Sequence, residues 1–250
     1  MGSVNLEKMS QPFAEDFKVL ECECDFRGEL SMGGLLRLVQ QVGTDQCMEL
    51  GMDDDFYIEN KAVFLLTRQA VKIYKPLHRG ETVRLQTIGQ APQRAVYKRL
   101  TKIFDQAGEL LAMADSRWVL VNTETWRIMR RPPEGFPAQW QSDVPEVLEQ
   151  LIQAPAKTES VGQLCAQYSV CDTNGHMNNT RYADAALSAL PLETMRESRA
   201  AEMRIVYHRE IHMGESAELQ RATAGENGWY VSAVRENHVA FECLLSLEKA

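Results

Sequence analysis

The sequence predicts an α+β chain made of two tandem copies of one unit, in which an antiparallel sheet wraps around a long central helix. Three observations predict this. Residues 132–155, PPEGFPAQWQSDVPEVLEQLIQAP, hold five of the nine prolines and divide the chain, because proline continues neither a central strand nor a helix interior. The two sides of the divide repeat a signature, CDFRGELSMGGLLRLVQQ from Cys24 and CDTNGHMNNTRYADAALS from Cys171. Each signature is followed by runs that alternate apolar and polar residues, the period of half-buried strands.

Taken in order, both signatures read Cys-Asp-x-x-Gly-x, a turn, then an amphipathic helix. The first helix carries Leu35, Leu38, Val39 and Val42, then Cys47 and Leu50. The second carries Tyr182, Ala183, Ala186, Leu187 and Leu190, all at helical spacing. Asn178 or Asn179 would start it, since either side chain can accept from the free N–H groups of a first turn. AVKIYKPLHRGETVRLQT in the first half then matches EMRIVYHREIHMGESAELQR in the second. Each is a strand with a tyrosine (Tyr74, Tyr207), a Gly-Glu turn (Gly80-Glu81, Gly214-Glu215) and another strand. Two more alternating runs close each half, 95–105 with 110–122 and 229–236 with 239–247. Gly108 and the Glu236-Asn237 pair mark their hairpin turns. The proline-rich stretch leaves room for one short helix, around Glu146–Gln153.

A sheet wrapped around one long helix is the hotdog fold. The predicted organisation is an N-terminal hotdog domain at 1–133, a linker at 134–159 and a C-terminal hotdog domain at 160–250. Two such domains in one chain would pack as a pseudo-dimer with their sheets joined edge to edge.

Bulk properties narrow the function classes. With 44% hydrophobic and 25% charged residues the chain has the mix of a soluble globular protein. No apolar run approaches the roughly 20 residues that cross a bilayer, and MGSVNLEKMS has no apolar secretory core. The expected location is the cytoplasm, with no membrane partner. The six cysteines include no CxxC, so reduced thiols are expected. His208 and His212 lie in a segment that reads as strand, which would set them about 13 Å apart. No metal site is expected. A net charge of −8 disfavours nucleic acid. There is no Gly-x-Ser-x-Gly elbow, P-loop or dinucleotide fingerprint, and no cofactor is expected.

Within CDTNGHMNNTRYADAAL, Asp172, Asn174 and His176 stand two apart ahead of a helix start. An extended segment would put the three on one face, near backbone donors that favour developing negative charge. An ordinary polar turn is the other reading. The first copy has Arg27 and Glu29 where the second has Asn174 and His176, which predicts one catalytic site in the second domain.

The string Asp172-x-Asn174-x-His176-x-Asn178-Asn179, followed by Tyr182, resembles the motif of the acyl-ACP thioesterases of plants and bacteria (ACP, acyl carrier protein). Their downstream Tyr-Arg-Arg-Glu-Cys segment is matched by Tyr207-His208-Arg209-Glu210-Ile211. Their Ser-x-Trp-x-x-x-Asn-x-x-Thr-x-Arg strand is matched in SRWVLVNTETWR by Ser116, Trp118, Asn122 and Thr125. The resemblance runs from about residue 12 to 247. It implies a double hotdog that hydrolyses fatty acyl-ACP and ends fatty acid synthesis. One position departs: Ile211 stands where a cysteine nucleophile was once assigned, so a Cys-His-Asn triad is excluded there. Cys171 adjoins Asp172 and would point to the opposite side of an extended segment. The plant enzymes add an N-terminal targeting extension, and its absence suggests a bacterial form.

Thioester hydrolysis needs an activated water and a polarised carbonyl. The resemblance makes Glu210 the candidate general base, acting with His176; which of the two takes the proton stays open. Asn174 would donate to the thioester oxygen or hold the water, Asp172 would fix Asn174 and His176, and N–H groups near Asn178 would complete an oxyanion site. The family's acyl tunnel lies mostly in the first domain, where Met32, Leu35, Leu36, Val39, Phe64 and Leu66 are candidate linings. The acidic ACP would dock on one of three basic clusters: Lys98, Arg99 and Lys102; Arg127, Arg130 and Arg131; or Arg204, His208 and Arg209. A homodimer of the whole chain is compatible with the fold. The alternatives are an acyl-CoA thioesterase, a non-catalytic acyl-binding protein and a dehydratase of the same fold. A dehydratase would need a helix carboxylate, for which Asp184 is the sole acidic residue there.

Overall fold

The structure, a computed structural model, describes residues 12–133, 136 and 146–250. The first half runs β1 (Phe13–Lys18), α1 (Met32–Glu49), α2 (Asp54–Glu59), β2 (Ala62–Ile73), β3 (Thr82–Gln93), β4 (Val96–Phe104) and β5 (Leu110–Asn122). The second runs β6 (Glu159–Cys165), α3 (Arg181–Ser188), α4 (Leu192–Glu197), β7 (Ser198–Tyr207), β8 (Ser216–Thr223), β9 (Gly228–Arg235) and β10 (His238–Lys249). The predicted strand runs of both hairpins match β4, β5, β9 and β10 to within two residues.

All ten strands form one antiparallel sheet in the order β1-β3-β4-β5-β2-β7-β10-β9-β8-β6. The order is symmetric about β2–β7, so each half supplies five strands in the same sequence. The halves join edge to edge where Arg68–Lys72 pairs with Val206–Glu202, and a Lys72–Glu202 ion pair at 2.7 Å closes one end of the seam. This is the tandem hotdog architecture.

Helix α1 lies across the sheet because its apolar residues share one face. Leu35, Leu36, Val39 and Val42 are almost fully buried, each contributing roughly 2 kcal/mol. Ser31 caps it by accepting from the Gly34 N–H at 3.0 Å. Its glycines answer a close crossing: a Cβ on Gly33 would stand 1.8 Å from Asp184 Oδ1 of α3, and one on Gly34 would stand 2.7 Å from Glu23 O.

Three expectations are corrected. Helix α3 starts at Arg181, not at Asn178 or Asn179. Asn178 Oδ1 instead accepts from the Thr180 N–H and hydroxyl, at 3.0 and 2.7 Å, which closes a turn ahead of the helix. The helix is also short, since Pro191 disfavours helical backbone before it and Leu190, though buried, falls beyond its end. No helix forms over residues 146–153. That segment is tied to the outer sheet face: Leu148 N–H donates to Asp115 Oδ2 (3.1 Å), Gln150 Nε2 to Asp115 O (3.1 Å), and Arg204 Nη1 to Leu151 O (3.0 Å). The rest of the predicted linker, 134–135 and 137–145, lies outside the described residues. Finally, β7 stops at Tyr207, so the strand expected through His212 becomes a connector.

Candidate active site

The segment from Asp172 to His176 is a tight turn, not the extended strand its alternation suggested. The Gly175 N–H donates to Asp172 O and the Asp172 N–H to His176 O, both at 3.0 Å. Gly175 has φ +78°, a backbone state that favours glycine. The first copy builds the same turn: Gly28 N–H to Asp25 O at 3.0 Å, Asp25 N–H to Glu29 O at 2.8 Å, and Gly28 at φ +77°. Asp172 Oδ1 accepts from the Asn174 N–H at 2.9 Å, as Asp25 Oδ1 does from the Arg27 N–H at 2.8 Å. The repeated aspartate is therefore a turn clamp in both halves, and the two halves differ at the positions the turn displays.

In the second copy the turn displays Asn174 and His176. Asn174 is exposed, and its side chain makes no hydrogen bond among the described residues. His176 is mostly buried, its side chain 14% exposed. Its Nε2 faces Glu210 Oε1 at 3.5 Å, and its Nδ1 lies 3.4 Å from Met177 O and 3.9 Å from Asp172 Oδ1. Asp172 thus sits beside the ring at ion-pair distance, not in a hydrogen bond. Its other oxygen takes the Asn178 amide at 3.4 Å, so Asp172 links both ends of the motif.

Glu210 reaches His176 because β7 has ended three residues earlier. Backbone pairing fixes this connector: the Met177 N–H donates to Ile211 O at 2.9 Å, and His176 and His212 form an antiparallel bridge. Ile211 is fully buried. The position without a cysteine is core, while its neighbour Glu210 is exposed. His208 leaves the site for Glu242, at 3.0 Å. Behind the turn, Tyr182 and Tyr207 pack edge to face at 5.6 Å. The Tyr207 hydroxyl donates to Asn179 O at 3.1 Å, and burial pushes both phenols well above their ordinary values.

A cavity of about 320 Å³ opens beside the motif, between Asp172, Asn178 and Thr180 on one side and Arg37, Gln40 and Gln41 of α1 on the other. The first half therefore contributes a wall to this cavity, which Asp172 lines but His176 and Glu210 do not. The sequence reading missed this wall; the polar cluster Arg37, Gln40 and Gln41 on the first helix was the available signal. Asp184 is spent on structure, ion-paired to Arg37 at 2.9 Å. Cys171 makes no hydrogen bond to His176 among the described residues, and no group of three or more metal-ligating residues occurs among them. No described helix is long and apolar enough to cross a membrane.

The model of the acyl-ACP thioesterase N-terminal domain matches residues 10–137, and that of the C-terminal domain matches 153–247. The chain is 22% identical over 250 residues to a chloroplastic oleoyl-ACP thioesterase of Arabidopsis thaliana, covering 91% of this chain and 68% of the relative. It is 24% identical to a chloroplastic palmitoyl-ACP thioesterase of Gossypium hirsutum, covering 94% and 60%. The crystal structure of an acyl-ACP thioesterase from Bacteroides thetaiotaomicron superposes with TM-score 0.87 at 22% identity, covering 98% of this chain and 100% of that one. The 12:0-ACP thioesterase of Umbellularia californica superposes with TM-score 0.83 at 17% identity, covering 100% of both. These superpositions speak for the fold.

Proposed function

The chain belongs to the acyl-ACP thioesterase family, thioester hydrolases of fatty acyl-ACP, and we propose that it carries out this hydrolysis with a water activated between His176 and Glu210. The observation that carries the proposal is the 3.5 Å approach of His176 Nε2 to Glu210 Oε1. A water bonded to both gives up a proton to the pair as its oxygen attacks the thioester carbon. The tetrahedral oxyanion collapses, the carbon–sulfur bond breaks, and the thiolate leaves on the carrier's pantetheine arm. Asn174, with a free amide, donates to the carbonyl oxygen as charge develops there, a contact typically worth about 3 kcal/mol. Asp172 holds the turn that sets both side chains. Ile211 provides no nucleophile, which favours attack by water over a covalent acyl-enzyme.

The catalytic assignment of Asp172, Asn174, His176 and Glu210 rests on this geometry and on the motif together. The reading places the enzyme in a reducing cytoplasm, supported by six unpaired cysteines, where release of the free fatty acid would end chain elongation. Of the three basic clusters, the first divides: Arg99 turns inward to Gln46, and Lys102 pairs with Glu146. The third divides too, with Arg204 bonded to Leu151 O and His208 to Glu242, so Arg209 and the exposed Arg127, Arg130 and Arg131 are the candidates for carrier docking.

Thiol release from acyl-ACPs of eight to eighteen carbons, beside the matching acyl-CoAs, tests the proposal. Turnover of acyl-ACP that falls at least about 100-fold in kcat in both Glu210→Ala and His176→Ala supports it. Full activity in either variant refutes the pair. A wild type inert on every thioester would leave a non-catalytic acyl-binding protein.

A further inference from the structure

The first copy of the turn has lost the reacting pair but kept a cavity. Backbone pairing equates the two turns. The Leu30 N–H donates to Leu77 O at 2.7 Å as the Met177 N–H does to Ile211 O at 2.9 Å, and Glu29 bridges His78 as His176 bridges His212. Glu29 therefore stands where the second copy has His176, and Pro76 where it has Glu210. A proline side chain neither gives nor takes a proton, so the pair that would activate water is missing here.

A second cavity, of about 390 Å³, opens at this turn. Counted from Cys24 and Cys171, Arg37, Gln40 and Gln41 of α1 correspond to Asp184, Leu187 and Ser188 of α3, and these last three line it. It is thus the first copy's equivalent of the cavity beside Asp172. Its walls differ in chemistry. Met32, Ile73, Leu187, Leu190 and Met195 face it, where the other cavity meets Arg37, Gln40 and Gln41. Phe26 and Leu192 also line it and are largely exposed, so it opens to solvent. A largely apolar cavity of this size, with a few polar groups, is the usual form of a small-molecule site.

The charged groups in the lining are three carboxylates, Asp25, Glu29 and Asp184, and two guanidiniums, Arg27 and Arg199. Arg27 binds Asp25 Oδ2 and Met195 O, both at 2.9 Å, and Arg199 binds Glu248 at 2.7 Å. Glu29 lies between them, 3.7 Å from Arg27 Nε and 3.3 Å from Arg199 Nη1. Arg27 Nε is buried and makes no hydrogen bond among the described residues. A neutral carbonyl oxygen answers such a donor. A carboxylate would meet the excess of negative charge and be repelled.

Building on the thioesterase reading, we propose that this cavity binds a second acyl thioester and holds it without hydrolysis, the alkyl chain against α3 and α4 and the carbonyl accepting from Arg27 Nε. The amides of the pantetheine arm are uncharged and donate to carboxylates such as Glu29. An acyl thioester therefore suits the site in both its apolar chain and its neutral head, and the free fatty acid does not. Bond breaking stays at the other turn.

The probe is the decanoyl-pantetheine analogue with a methylene in place of the thioester sulfur, which keeps the carbonyl and is not hydrolysed. Isothermal titration should give two equivalents per chain for the wild type. Arg27→Met, which removes the donor, should weaken one of them at least about tenfold. Met195→Trp, which fills the cavity, should abolish it. Both are read in protein that unfolds cooperatively and still releases thiol from acyl-ACP. In a crystal of the wild type with the analogue, the second carbonyl should lie within hydrogen-bond reach of Arg27 Nε, a readout that needs no variant. A single equivalent in the wild type, or a second one that neither folded variant weakens, overturns the second site, while turnover of acyl-ACP keeps the thioesterase reading intact. Decanoate should bind there at least about tenfold more weakly than the analogue; equal binding overturns the thioester as the ligand. A wild type that binds no analogue and turns over no acyl-ACP overturns both readings.

Discussion

His176 Nε2 and Glu210 Oε1 stand 3.5 Å apart, although 34 positions separate them in the chain. The contact exists because β7 ends at Tyr207 and the chain after it pairs with the Asp172–His176 turn. Groups that act as one unit are not additive. The double variant His176→Ala/Glu210→Ala should therefore lose no more than about tenfold beyond the worse single variant. Steady-state kcat for the four proteins decides this; multiplicative losses would show two independent roles.

Asp172 and its counterpart Asp25 clamp the same turn with the same side-chain bond. Asp172→Ala and Asp25→Ala should each destabilise the protein by about 1–3 kcal/mol, the range for a bond to a charged acceptor. Only Asp172→Ala should also lower kcat, by at least about tenfold, because His176 stands on its turn alone. Urea unfolding beside the kinetic assay separates the two effects. Equal kcat in both variants would reduce Asp172 to a turn former.

Ile211 is fully buried, so a thiol placed there would be packed away from substrate and reagent. Ile211→Cys should gain no activity and resist inactivation by iodoacetamide, and Cys171→Ser should keep kcat within about threefold of wild type. Time-dependent loss of activity in Ile211→Cys, but not in the wild type, would contradict the placement. Ile211→Ala should cost about 2–5 kcal/mol in unfolding free energy, the usual cost of emptying a core site.

Asp115 is almost wholly buried, and burial raises its pKa above the ordinary 3.8 despite Arg117 at 2.7 Å. The folded protein then holds this proton at pH values where the unfolded chain has lost it. Between about 4 and the raised value the native state binds more protons, and stability falls as pH rises. Asp115→Asn removes that dependence while keeping an acceptor for the Leu148 N–H. Its stability relative to wild type should climb from pH 4 to 7 in denaturant titrations. A constant difference would show that the buried carboxyl does not titrate in this range.

The sequence by itself determined the duplication, the hairpin strands and the Asp-Asn-His motif. These are local patterns, set by the period of apolar residues and by turn chemistry within about twenty positions. The extended reading of Asp172–His176 gave way to a turn, which still sets Asp172 beside His176, at 3.9 Å. The tertiary structure decided what long-range pairing decides. Asn178 closes a turn instead of capping α3, and the expected helix at 146–153 yields to bonds with Asp115. Ile211 faces the core while Glu210 faces His176, and Arg99 leaves its basic neighbours for Gln46 on α1. Alternation tells which residues share a face, but which face meets the helix depends on strands and helices distant in sequence.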